Sequence, residues 1–564
     1  MAKARSGGQV LVDQLGIHGA EMAFCVPGES YLEVLDALYD VRDRITLVNA
    51  RHEAGAANMA EAYGKMTGKP GIAMVTRGPG ACQASVGVHT AFQDSTPMIL
   101  LIGQVARDTT DREAFQEVDY RQMFGPLAKW AAQIDQAERV PEYMARAFHV
   151  ATSGRPGPVV LALPEDMLTD RVSVPDAKPY QEIQPAASAG DLEKLAALLA
   201  KAERPLLITG GPGWSDAACA QMLAFAEAWN IPSTTAFRCM DQLDNRSKVY
   251  SGDFGTSSPP PLLKRIRDVD LLLVVGARLG EMTTQSYTTL EIPEPKQTLV
   301  HVHPDANELG RVYRPTLGIA SGPAAFASAA ASLRPKAKPK WGAWTEAAHQ
   351  DYLATLEPTP YNGALDMGRV MADIRDKLPR DVIVTLDAGN HTGWPQRYLS
   401  YGRPGRLIGP TSGAMGYSVP AAVALSLVDR DRLVIGCVGD GGFMMSGQEL
   451  STAVQYGGKP IALVFNNKTY GTIRMHQERE HPERVVGTDL VNPDFAAMGR
   501  AMGCHAETVT RTDEFAPAFE RAVKSGKAAL IELRTDPELI TTRMTITALR
   551  DAARARAAKE KAPA

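Results

Sequence analysis

Cysteine is scarce in this sequence, and the six residues present, at 25, 82, 219, 239, 437 and 504, form no CxxC pair and no metal-finger spacing. That scatter excludes a disulfide scaffold and reads as buried thiols in a reducing compartment, with the cytoplasm as the expected location. Missing too is any apolar run near the roughly 20 residues that span a bilayer, so no membrane segment is expected. The opening MAKARSGGQVLVDQLG contains no hydrophobic signal-peptide core. There is no excess of basic charge either. The 60 Lys and Arg against 64 Asp and Glu leave a formal net charge of −4, which speaks against a nucleic-acid surface. What is present is a globular composition, 45% hydrophobic and 22% charged, in 564 residues. A chain of that length is too long for one ordinary core and predicts two to four domains.

Strand-like apolar runs alternate with longer helix-like pieces along the chain. MAFCVP, ITLVNA, GIAMVT, MILLIG and PVVLALP come first, then PLLITGG, IPSTTAF, DLLLVVGARLG and TLVHVHPD, then DVIVTLDAG, RLVIGCVGDGG, PIALVFNN and AALIELRTD. This rhythm belongs to parallel sheets covered on both faces by helices. Proline-spotted stretches at 172–190, 334–342 and 356–363 interrupt it. The expectation is an α/β protein with three doubly wound parallel-sheet domains, over residues 1–175, 190–335 and 360–545. A basic tail follows over 546–564, read as a solvated helix or frayed end, with a lid as the less favoured alternative.

The stretch GDGGFMMSGQELSTAVQYGGKPIALVFNN (439–467) poses the chemical question. It sets Asp440 at the end of one buried strand and Asn467 at the end of the next. In open α/β sheets ligands bind at the carboxyl ends of strands, where helix N-termini favour negative charge. Glycines Gly439, Gly441 and Gly442 allow a close approach of backbone to a phosphate. Asp440 would repel that phosphate directly but can hold it through Mg2+, a hard cation that takes oxygens from carboxylate, amide, main chain and phosphate. Asn467 offers an amide oxygen and the following loop, to Thr469, a main-chain one. A lone GDG would be only an Asp cap before a turn; the pairing with ELSTA and a terminal NN makes the pattern specific.

Those residues closely resemble the thiamine diphosphate and Mg2+ signature of thiamine diphosphate-dependent 2-oxo acid enzymes, in particular the acetolactate synthase group. The resemblance runs through RHEAGAANMAEAYGKMTGKPG (51–71), TRGPGACQASVGVHTAFQDSTPMILLIGQV (76–105), AFQEVD (114–119), RPGPVVLALPEDM (155–167) and TSGAMGYSVPAA (411–422), in the family's order. It implies a pyrimidine-binding domain, a central domain and a diphosphate-binding domain. It also implies that Glu53 protonates the pyrimidine N1′, a role that an apolar setting would assist. Taken alone, Glu53 would more often be a helix cap or a surface acid. By the same resemblance Met415 is the wedge that bends the cofactor, with the main chain of Gly413 and Met415 on the pyrimidine. Asn390 and His391, in LDAGNHTGW, fall where synthases carry Gln-His against the diphosphate.

The activity implied is decarboxylation of a 2-oxo acid and ligation of the resulting enamine to a second carbonyl. Gln116, in FQE, keeps the synthase pattern beside the reacting carbon, and the loop lacks the paired histidines of pyruvate decarboxylases. Other positions depart from the synthases. Glu29, in CVPGES, stands where they commonly have Gly, and could protonate the enamine or merely cap a helix. His476, in TIRMHQER, follows the NN loop where they carry a Trp. Met282, in RLGEMT, replaces the substrate-channel Arg of their RFDDRV, and Glu165, in LPEDM, replaces their Lys; flavin (FAD) binding is left open separately, because the family's flavin contacts find no clear match in the central domain. Losing two cations weakens the case for pyruvate with 2-oxobutyrate as substrate pair. The alternatives to a carboligase are a nonoxidative 2-oxo acid decarboxylase, a lyase of the benzaldehyde lyase kind, and a noncatalytic homologue. The family pairs the pyrimidine domain of one chain with the diphosphate domain of another, so a homodimer or tetramer is expected.

Overall fold

In the computed structural model, which describes residues 4–256 and 258–561, the strands gather into three six-stranded sheets, every pairing parallel. A further two-stranded antiparallel pair joins Arg5–Ser6 to Arg171–Val172. Each large sheet belongs to one α/β domain, as the alternating runs foretell.

The first sheet runs, in spatial order, Thr46–Asn49, Met22–Cys25, Gly71–Val75, Met98–Gln104, Pro158–Pro164 and Trp130–Gln133. Numbered within the sheet along the chain, the order is 2-1-3-4-6-5. Met98–Gln104 and Pro158–Pro164 are buried at every position, so both faces are covered and the strands read as unbroken apolar runs. Two helices on this sheet, Glu53–Thr67 and Pro79–Asp94, approach closely because Gly87 faces Ala57. A Cβ at Gly87 would come within 2.4 Å of the alanine's.

The second sheet has the order 3-2-1-4-5-6, with Pro205–Thr209 and Leu271–Val275 at its centre. These two sheets lie in one compact unit, residues up to Leu243 together with Ser247–Ala348. The third sheet lies in the other unit, Asp244–Arg246 with the chain from His349 on. It runs Arg406–Ile408, Ile383–Leu386, Val434–Gly439, Ile461–Asn466, Ala529–Arg534 and His505–Val509, again 2-1-3-4-6-5.

Two expectations need correcting. The basic tail is helical as far as residue 561, the last described, but that helix is not free in solvent. Helix Ile546–Lys561 buries Ile546, Leu549 and Ala553 and docks on helix Gly471–Glu480. There Arg550 forks onto Glu478 at 2.5 and 2.9 Å, and burial of that carboxylate is offset by the bidentate pair. Nor are all the thiols buried: Cys82 is exposed, whereas burial pushes Cys25, Cys239 and Cys437 up to about 12. Among the described residues no helix is long and apolar enough to cross a membrane.

Candidate functional site

In a sheet of order 2-1-3, the connections leave strands 1 and 3 in opposite directions, which opens a crevice at their carboxyl ends. In the first sheet that crevice lies between Val26–Glu29 and Thr76–Gly80. The two loops pack too tightly for side chains. A Cβ at Gly28 would sit 2.4 Å from that of Thr76, and Ser30 Oγ lies 2.9 Å from Thr76 Oγ1. Gly78 has φ +55°, its N–H donates to the Tyr120 hydroxyl at 2.7 Å, and a Cβ there would lie 2.8 Å from that of Gln116. Gln116 itself holds φ +66°, a strained value for a residue with a side chain. The bend is set by Glu117, whose carboxylate accepts from the N–H of Asp111 and Ala114 at 2.8 and 2.9 Å.

Glu53 enters from the next strand over. His52, not Glu53, caps its helix, with Nδ1 accepting from Ala54 N–H at 3.1 Å. Glu53 is the first helical residue, half-buried, where the helix dipole favours an acid. Its Oε1 lies against Gly80, at 3.4 Å from the place a Cβ would occupy, and among the described residues none hydrogen-bonds its carboxylate. The structure therefore gathers Glu53, Gln116 and Glu29 around one turn, Thr76–Gly80.

Sequence reasoning missed the residue at the centre of that turn. Arg77 Nε donates to the Phe115 carbonyl at 3.1 Å, and Nη1 pairs with Glu165 at 2.8 Å. Nη2 stands 3.7 Å from Glu29. The Arg77 side chain is only 9% exposed, against 66% for Glu29 and 42% for Glu165. Its place after Thr76 and before the glycines of TRGPG gave only a weak local signal.

The third sheet has the same crevice, between the loop after Ile383–Leu386 and the turn after Val434–Gly439. Asp440 opens helix Asp440–Ser446 and is 3% exposed. Burial raises its carboxyl above the ordinary Asp range; hydrogen bonds oppose that shift, from Gly441 N–H at 2.9 Å, Asn492 Nδ2 at 2.8 Å and Lys468 N–H at 2.7 Å. Asn492 is a second residue that sequence reasoning missed; it also donates to Asn466 Oδ1 at 2.9 Å and so ties two loops together. Asn467 Oδ1 accepts from Thr469 N–H at 3.2 Å, while Thr469 is 3% exposed and its hydroxyl has no partner among the described residues.

Among the described residues no three His, Cys, Asp or Glu side chains converge as a metal site. Mg2+ needs no such trio. One carboxylate, one amide oxygen and a main-chain carbonyl are hard donors that suit it, and a cation would relieve the burial of Asp440.

The glycines of GDGG make room first for protein. A Cβ at Gly442 would fall 1.9 Å from Asp387 Oδ2, and one at Gly441 would fall 2.4 Å from the Tyr470 ring. At Gly439 a Cβ would meet His391 Nδ1 at 3.1 Å. His391 and Asn390 sit in a single turn, Asn390–Thr392, fixed by reciprocal hydrogen bonds at 3.0 Å between Asn390 and Thr472. Gly413 has φ +73°. Gly416, one residue beyond half-buried Met415, has φ +78° and closes on Met445 and Gly442. His476 accepts a hydrogen bond at Nδ1 from Arg479, 2.7 Å away, and burial together with that cation lowers its pKa, which favours the neutral imidazole.

A three-sheet α/β architecture with acid-bearing loops at two reversals of strand order defines a class of cofactor-binding enzyme folds. Three family models match this chain: the thiamine pyrophosphate enzyme N-terminal binding domain over 5–123, the central domain over 192–330 and the C-terminal binding domain over 387–533. The chain belongs to the thiamine pyrophosphate enzyme family. It is 30% identical over 544 residues to an acetolactate synthase large subunit of Parasynechococcus marenigrum, which covers 94% of this chain and 87% of that protein. The isozyme 2 large subunit of Escherichia coli is 29% identical over 540 residues, 94% of this chain and 96% of its own length. The mitochondrial catalytic subunit of Saccharomyces cerevisiae is 27% identical over 561 residues, 95% of this chain and 81% of its own length.

Proposed function

We propose that this protein is a thiamine diphosphate- and Mg2+-dependent carboligase, which decarboxylates a 2-oxo acid and joins the remaining fragment to a second carbonyl compound. The observation that carries this reading is the matched placement of acids. In two sheets of identical strand order, Glu53 reaches the reversal turn of one unit from the strand beside it, and Asp440 opens the reversal turn of the other, with Asn467 at the end of the adjacent strand.

When bound, the cofactor supplies the electron sink that allows CO2 to leave. Asp440, Asn467 and the main-chain carbonyl of Thr469 would hold Mg2+. Asn390, His391 and the GDGG backbone would hold the diphosphate, and Gly413 and Met415 the pyrimidine ring. Glu53 keeps a proton at the pyrimidine nitrogen. Gln116, pinned in its strained conformation, orients the reacting carbonyl. His476, hydrogen-bonded by Arg479, lines the acceptor side.

A homodimer or tetramer completes the site, with the two units of different chains supplying its halves, and the cytoplasm is the working compartment. FAD plays no catalytic part. The test is incubation with a panel of 2-oxo acids, with and without an aldehyde acceptor, followed by product analysis. Acetolactate- or acetoin-type products support ligation. Free aldehyde alone would transfer the reading to a decarboxylase or lyase, which Glu29, an acid on the first crevice loop, favours. Flavin absorbance in the purified protein would restore a synthase-type FAD.

A further inference from the structure

In a carboligase the Arg77 cluster bears on the second substrate, so the inference rests on the function proposed for this chain. Arg77 is bound on three sides. Its Nε holds the carbonyl that precedes Gln116, its Nη1 holds Glu165, and its Nη2 faces Glu29. One guanidinium, nine-tenths buried, thus meets two carboxylates that are far more exposed than it is. The formal sum is −1, and the negative charges are the ones that solvent and substrate reach.

We infer that this cluster makes the acceptor pocket reject anions, so that the second carbonyl substrate is an uncharged aldehyde rather than a 2-oxo acid. A carboxylate approaching Gln116 meets Glu29 and Glu165 before it meets Arg77, whose charge they already neutralise. The donor escapes this penalty. Its carboxylate departs as CO2, so repulsion in the bound state is relieved along the reaction. An acceptor's carboxylate would stay, and the repulsion with it. Glu165 and Glu29 are specificity-determining here, and Arg77 is the residue that positions them and the Gln116 loop together.

The experiment uses full-length protein with thiamine diphosphate and Mg2+, donors pyruvate, 2-oxobutyrate and phenylglyoxylate, and two acceptors of similar size, neutral acetaldehyde and anionic glyoxylate. Donor consumption and ligated product are measured separately. The expected result is a kcat/KM for acetaldehyde well above that for glyoxylate. In Glu165→Gln that ratio falls about fivefold, and it falls further in Glu165→Lys, the change arising chiefly in the KM for glyoxylate and any change for acetaldehyde being smaller. Added salt should lower the wild-type KM for glyoxylate and leave that for acetaldehyde unmoved. A mere packing role for Glu165 would shift both acceptors alike and would show no salt effect. Glyoxylate preferred by the wild type, or a ratio indifferent to both charge and salt, overturns the inference while donor consumption keeps the carboligase reading intact. No consumption of any donor overturns both.

Discussion

The first and third sheets share one strand order and one place for a crevice, yet they furnish it differently. At the first, the acid Glu53 is half-buried and no described side chain hydrogen-bonds it; the surrounding loops are locked instead, by Gly28 against Thr76 and Gly78 against Gln116. At the third, the acid Asp440 is itself locked, buried under three donors. On the proposed function, the difference follows from what each acid would meet. A carboxyl that exchanges a proton with a ring nitrogen must be left open to it. A carboxylate that grips a cation must be aimed beforehand, since flexible ligands would lose entropy on binding.

The largest test of that contrast is a pair of substitutions. Glu53→Gln should cost at least about a hundredfold in kcat while thiamine diphosphate still binds. Asp440→Ala should instead abolish Mg2+-dependent cofactor binding, read by calorimetry, with turnover lost as a consequence. Equal loss of cofactor affinity in both variants would erase the distinction.

A smaller effect is expected from the glycines. Gly442→Ala drives a methyl into Asp387 and should lower stability by about 1–3 kcal/mol, seen as an earlier unfolding midpoint. Gly78→Ala adds a clash with Gln116 at a φ of +55° and should act chiefly on activity, through the displaced Gln116. If Gly442→Ala were neutral, the closeness of these loops would be dispensable.

The smallest concerns Asn492. Burial raises the Asp440 carboxyl, so in the metal-free protein the native state keeps a proton that the unfolded chain has already released. Stability of that state then falls as pH rises from the ordinary Asp range through the raised value. Mg2+ must displace the same proton, so its affinity should weaken toward acid pH. Asn492→Ala removes a hydrogen bond that favours the ionised form. It should shift the acid limb of Mg2+ binding upward and cost about tenfold in affinity.

The sequence shows the middle of each sheet and hides most of its rims, the edge strand Thr46–Asn49 in ITLVNA being the exception. Runs such as MILLIG and PIALVF are legible because central parallel strands are buried on both faces. Trp130–Gln133, Tyr250–Phe254, Leu317–Ala320, Arg406–Ile408 and His505–Val509 escape notice, and all five lie at sheet edges. Leu317–Ala320, with two exposed positions in four, shows why: one side faces solvent, and apolar continuity is not required. Motif residues Glu53, Asp440 and Asn467 could be picked out because their spacing along strands and turns is local. Arg77 and Asn492 could not. Their meaning lies in contacts with Glu165 and Asp440, 88 and 52 residues away.

The clasp of Arg550 on Glu478 has a bearing on how the molecule breathes. Glu478 rides on the helix that begins at Gly471, four positions past Asn467, so the closing helix of the chain and the metal-side loop are fastened to one another. Such fastened segments open as a single cooperative block, not piecemeal. Loosening the outermost helix would therefore free the loop proposed to hold the cation, and protection of one against solvent exchange would report on the other.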